Sequence, residues 1–176
     1  MKKFIAAVAV AMCSLTASAQ MWVGGSLGFS VVDYAGNGSN LTTLTIAPTL
    51  GYKLSEKWEI GVSIEETAIF AGDNVNAFGI APFARLNFFK SGIATIFVDG
   101  GFSVSTQNYN SSYVKTDSHT GFGLGVRPGV KVELSKNLSL ETKTGFLGVK
   151  TVTDSYTTFG LGVNNEDLSV GLVYEF

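Results

Sequence analysis

Asp167-Leu168-Ser169-Val170-Gly171-Leu172-Val173-Tyr174-Glu175-Phe176 alternates without a break. Leu168, Val170, Leu172, Tyr174 and Phe176 hold every second position, while Ser169, Gly171, Val173 and Glu175 stand between them. A period of two places these sets on opposite faces of a strand, one greasy and one mostly small or polar. The stretch ends on an aromatic residue.

The same pattern recurs upstream. The first strand, about 21–32, sets Met21, Val23, Leu27, Phe29 and Val31 against Trp22, Gly24, Ser26, Gly28 and Ser30. The spacing predicts further strands over 43–54, 58–70, 77–89, 93–107, 119–134 and 138–150, with 167–176 as the eighth. Ser55-Glu56-Lys57, Lys90-Ser91-Gly92 and Ser135-Lys136-Asn137 read as tight hairpin turns. The connections 33–42, 71–76, 108–118 and 151–166 read as longer polar loops, and 159–163 as a possible extension of the last hairpin.

A chain of 176 residues with 21 Gly, 13 Phe and 15% charged residues fits neither a disordered segment nor a helical bundle. Met1-Lys2-Lys3, an apolar run from Phe4 to Met12 and Ala17-Ser18-Ala19 form a basic start, a short hydrophobic core and a small-x-small site. Residues 1–19 are therefore expected to be a secretory signal peptide cut near Ala19, and 20–176 the mature domain. The single cysteine, Cys13, lies in that leader behind Met12, a poor residue for a lipidation signal. Without Lys2 and Lys3, ten basic residues face 14 acidic ones, and this acidic balance argues against nucleic acid as a partner.

So much strand is excessive for a soluble domain, but a membrane barrel removes the objection. In lipid every backbone group must pair within the protein, so a spanning sheet closes on itself. The greasy positions carry essentially no charge apart from Glu66 and, at the rim, Lys150. The opposite positions hold Lys53, Arg85, Arg127, Lys131 and Lys143 with Glu59, Glu65, Asp99, Glu133, Glu141, Asp167 and Glu175. A soluble sandwich or lipocalin would turn the greasy face inward, and alternation alone permits that too. Interfacial aromatics such as Tyr52, Trp58, Phe88, Tyr174 and Phe176, together with the leader, favour the membrane. Glu66 implies either a headgroup-level position or a β-bulge. Pro48, Pro82 and Pro128 each precede by six residues the apolar residue ending their strand, and each predicts a bulge or a missing ladder bond.

The phrases Ile46-Ala47-Pro48, Ile80-Ala81-Pro82 and Val126-Arg127-Pro128, with the terminal Phe176, resemble the outer-membrane β-barrel (porin-like) domain family of Gram-negative bacteria. The resemblance implies an all-β, transmembrane, eight-stranded antiparallel up-and-down barrel, with both termini periplasmic and four longer extracellular loops. It also implies residence in the outer membrane beside lipid and lipopolysaccharide, and Tyr174 and Phe176 as part of the signal read by the barrel-insertion machinery. A monomer is expected.

Function is less legible. A barrel of this size is just wide enough for its side chains to fill. Arg85, Asp99, Arg127, Lys131, Glu133, Glu141, Lys143, Glu59 and Glu65 are expected to form an interior charge network, which either plugs the barrel or lines a narrow pore for small solutes. The plugged barrel would serve envelope integrity or surface contact through loop residues such as Tyr34, Tyr109, Tyr113 and Tyr156. Some small barrels modify lipid A, but the only histidine, His119, adjoins Ser118 in a strand, where neighbours point apart. No enzyme, metal site or cofactor is expected.

Overall fold

The computed structural model describes residues 20–34, 39–71, 73–110, 118–152, 156–162 and 168–176. The leader, Asp167 and Tyr113 lie outside them, while the backbones of Tyr34, Tyr109 and Tyr156 lie at or near strand ends. Ten strand segments follow in order: β1 (Met21–Tyr34), β2 (Ser39–Lys53), β3 (Trp58–Ala71), β4 (Asp73–Ser91), β5 (Ala94–Asn110), β6 (Ser118–Glu133), β7 (Leu138–Lys143), β8 (Phe146–Val152), β9 (Tyr156–Gly162) and β10 (Ser169–Glu175). All pairings are antiparallel, and β10 returns to pair with β1 from Trp22↔Glu175 to Gly28↔Ser169. The sheet is thus a closed barrel of eight staves, the seventh made of β7 and β8 and the eighth of β9 and β10.

Burial is inverted relative to a soluble protein. Glu59, Arg85, Asp99, Lys131 and Glu141 are buried, whereas Leu27, Ile46, Phe78, Phe102, Phe122, Leu124 and Leu172 are exposed. A water-soluble sandwich would do the reverse, so the greasy face is the outer wall and the charged face lines the lumen.

The prolines act as their missing N–H requires. At Pro48 the β2–β3 ladder passes from Ile46↔Glu66 to Thr49↔Ser63, and at Pro82 the β4–β5 ladder passes from Ile80↔Val104 to Phe83↔Gly101, both without a change of register. Opposite Pro128 the neighbouring stave breaks instead. Thr144 donates its N–H to the Pro128 carbonyl at 3.1 Å, Gly145 takes a φ of +71°, and the pairing resumes one residue out of step between β6 and β8. This bulge corrects the alternation expected for 138–150. Leu147 continues the outer wall, and Lys150 pairs with Gly123 at a lumen-side position of the ladder rather than on the greasy parity.

Other limits also move. A second bulge between Asn87 and Phe89 turns both Phe88 and Phe89 outward, and β4 runs on to Ser91, which leaves Gly92 (φ +57°) and Ile93 as the turn in place of Lys90-Ser91-Gly92. Ladders reach Tyr34↔Ser39, Ala71↔Asp73 and Asn108↔Ser118, deep into stretches expected to be loops. Likewise β9 pairs with β8 over residues assigned to the last loop, including 159–162. Alternation of greasy residues reports only the part of a strand that meets lipid; backbone pairing continues into water with polar side chains.

Glu66 sits in an unbroken register, so no bulge explains it. Its row across the wall reads Ile46↔Glu66↔Phe78↔Thr106↔Thr120, and the next row outward reads Leu44↔Ala68↔Asn76↔Asn108↔Ser118. Glu66 therefore stands where the wall turns from apolar to polar, the headgroup level. At the other end the turns and both ends of the described chain gather: Phe176 N–H donates to Met21 O at 3.1 Å, Lys53 N–H to Gln20 O at 2.7 Å and Glu175 N–H to Asn137 O at 2.8 Å.

Candidate functional site

The lumen near the turn end is filled by charge. Arg85 on β4 faces Asp99 on β5 across a hairpin, because the β4–β5 register makes them direct partners. Its Nε and Nη2 donate to the two Asp99 carboxylate oxygens at 2.6 and 2.9 Å. On the far side, Nη1 and Nη2 donate to Glu141 on β7 at 2.6 and 3.0 Å. Two forked pairs on one guanidinium use four of its five N–H groups and fix its plane. Glu59 on β3 lies 4.0 Å from Nη1.

Lys143 stands beside this centre, 3.1 Å from Asp99 and 3.2 Å from Glu141. Lys131 joins Glu59 at 3.4 Å and Glu175 at 3.2 Å, and Lys53 also donates to Glu175. Asn87 donates to Glu59 at 2.8 Å. Four cations, Lys53, Arg85, Lys131 and Lys143, thus meet four carboxylates, Glu59, Asp99, Glu141 and Glu175. The cluster is neutral as a whole, which is how charges withdrawn from water avoid an uncompensated burial cost.

Aromatic rings wall it in. The Arg85 guanidinium lies 3.8 Å from the Phe97 ring centre, 5.3 Å from that of Trp22 and 5.6 Å from that of Phe83. Each ring has its place because its cross-strand partner is a glycine: Trp22↔Gly51, Phe83↔Gly61 and Phe97↔Gly129. A Cβ on Gly51 would come within 2.1 Å of the Trp22 ring, on Gly61 within 2.6 Å of Phe83 and on Gly129 within 2.3 Å of Phe97. Such rings cover the glycine backbone and fill the narrow interior. Trp22, Phe83 and Phe97 were not among the candidate residues. Their signal was present: they are the aromatics on the otherwise small or polar face, and the first hairpin's turn alone sets Gly51 and Gly61 side by side.

The remaining candidates lie elsewhere. Arg127 and Glu65 form a looser pair at 3.7 Å, above the central cluster and away from the turns. Glu133 is at the turn-end mouth, where it pairs with Lys90 at 2.6 Å and does not enter the cluster. Tyr174 lies on the outer wall with Phe176 edge-on against it, ring centres 5.3 Å apart. His119 pairs with Gln107 in the β5–β6 ladder. Among the described residues no group of His, Cys, Asp and Glu is arranged to hold a metal ion.

The outer membrane protein beta-barrel domain model matches residues 4–176. The chain belongs to that family. As a member, it resides in the outer membrane of a Gram-negative cell. Among solved structures, the barrel is similar to Neisserial surface protein A, with 16% identity, a TM-score of 0.62, and coverage of 90% of this chain and 98% of that one. It is also similar to the N-terminal β-barrel domain of OprF from Pseudomonas aeruginosa, with 14% identity, a TM-score of 0.58, and coverage of 89% and 98%. At such identities these likenesses show the barrel fold. No curated protein matches the chain by sequence.

Proposed function

We propose that this barrel is a closed outer-membrane body, shut by its own ion pairs, that serves envelope integrity or surface contact rather than transport or catalysis. The observation that carries this reading is the complete enclosure of Arg85, 0% exposed, inside a neutral set of eight charges. Trp22, Phe97 and Glu59 at the same level are each at most 1% exposed. A solute crossing the lumen would have to separate forked, desolvated pairs, and breaking a buried pair typically costs about 3–5 kcal/mol.

The remaining roles follow from position. The apolar wall meets lipid, and the polar row above Glu66 meets lipopolysaccharide headgroups. Tyr174 and Phe176, at the end of the closing strand, are available to the insertion machinery. The turn end, where both ends of the described chain lie, faces the periplasm, and the opposite strand ends face outward. A monomer is the simplest assembly, since among the described residues the ladder closes through β1 and β10 and no stave needs a second chain to pair with. Proteoliposome swelling tests the reading: vesicles holding the purified barrel should swell in small neutral solutes no faster than empty vesicles. Swelling that depends on solute size would establish the narrow pore instead.

A further inference from the structure

Above the charge cluster the lumen changes character. Towards the turns, the inward positions hold large side chains; further out they hold Ser26, Thr45, Ser63, Ser103, Gly123 and Gly125. A barrel of eight staves is ordinarily filled by its side chains, so this run of small residues leaves a hollow. Its volume is about 220 Å3, and a smaller space of about 70 Å3 adjoins it, sharing Ser63, Glu65, Arg127 and Lys143 as lining. The larger space has room for a cluster of water molecules rather than one or two.

We propose that this hollow is a binding pocket for a neutral hexose-sized polyol, either a free sugar or a hexose unit of an envelope glycan. Size is the first reason: a six-membered ring with its hydroxyls replaces a water cluster of that order. Lining is the second. Hydroxyls of Ser26, Thr45, Ser63, Thr67 and Ser169, the Glu65 carboxylate and the Arg127 guanidinium offer interspersed donors and acceptors. Charge balance is the third. Glu65 and Arg127 lie 3.7 Å apart, and Lys143 is held by Asp99 and Glu141, so an ionic ligand would be dehydrated without an unmatched counter-charge to receive it. A polyol exchanges its water hydrogen bonds for equivalent ones. Phe83, laid across Gly61, adds an apolar ring on the floor of the smaller space, a surface for the C–H face of a sugar ring.

This pocket goes beyond the closed-body reading, and a conducting barrel would not by itself remove it. The test is a titration of the folded, isotope-labelled barrel, in an amine-oxide detergent free of sugar groups, with methyl hexosides and with a hexose-terminated oligosaccharide, followed by amide NMR shifts. Saturable shifts at Ser63, Thr67 and Gly123, with affinity in the millimolar range, are expected. Saturation by the methyl hexoside assigns a free sugar, and saturation by the oligosaccharide alone assigns a glycan end. Thr67→Leu, filling the larger space, and Gly123→Leu, filling the smaller space that adjoins it, should each weaken binding at least tenfold while retaining the heat-shifted gel mobility of the folded barrel. Leu124→Ala, on the outer wall, should leave it unchanged. Absence of saturation with every hexoside, binding undiminished in both filling variants, or tighter binding of acetate or inorganic phosphate would overturn the proposal.

Discussion

Replacing Arg85 by Met would leave Asp99 and Glu141 facing each other across the space of a guanidinium that now donates to both at 2.6–3.0 Å. Removing one partner of a buried ion pair costs about 3–5 kcal/mol, mostly through the charge left behind. Lys143 remains within 3.2 Å of both carboxylates, which places the expected loss near the lower end, about 3 kcal/mol. The Phe97 ring under the guanidinium adds a cation–π contribution of about 1–2 kcal/mol at this degree of burial. Glu141→Gln alone should also destabilise, because it leaves the cluster with an excess cation. The double variant Arg85→Met/Glu141→Gln restores neutrality, with Asp99 still held by Lys143, and should lose less than the sum of the two singles by about 1–3 kcal/mol. Urea unfolding in lipid vesicles, followed by the heat-shifted gel band, reads all four proteins. Single losses below about 1 kcal/mol, or strict additivity, would refute a coupled charge cluster at this site.

Gly129→Ala should destabilise by about 1–3 kcal/mol, since its Cβ would lie 2.3 Å from the Phe97 ring and 2.8 Å from the Thr142 carbonyl oxygen. Combining it with Phe97→Leu should recover part of that loss in the same unfolding assay. On the outer wall, Leu124→Arg should cost about 2–4 kcal/mol, as arginine does near the bilayer midplane, whereas Glu66→Arg at the headgroup row should cost about 0–1 kcal/mol. Equal costs at the two positions would contradict the boundary assigned to the Glu66 row.

The outer wall was readable from the chain because lipid imposes a strict period of two, and Leu168, Val170, Leu172 and Tyr174 obey it through the closing strand. Pro48, Pro82 and Pro128 announced ladder defects through the missing donor. Alternation assigns a face but not a partner. Asp99 could be placed opposite Arg85 only by an accurate turn, and the bulge at Phe88 with the turn at Gly92-Ile93 moved that register. Glu141 comes from the other side of the lumen, where no sequence separation constrains it. Strand ends beyond the hydrocarbon carry no greasy signal, which is why β4 and β5 outran their expected limits. At Thr144-Gly145 the parity changed within one stave, and only Lys150 on the wrong face hinted at it.

Single-channel recording in a planar bilayer tests the closed lumen most directly. Purified wild-type barrel, inserted in the heat-shifted folded form, should give no steady conductance. Arg85→Met should give brief, infrequent openings at most, because Lys143, Asp99, Glu141 and the rings of Trp22, Phe83 and Phe97 still occupy the constriction. Discrete, long-lived channel steps from the wild-type protein would contradict a barrel held shut by the ion pairs around Arg85.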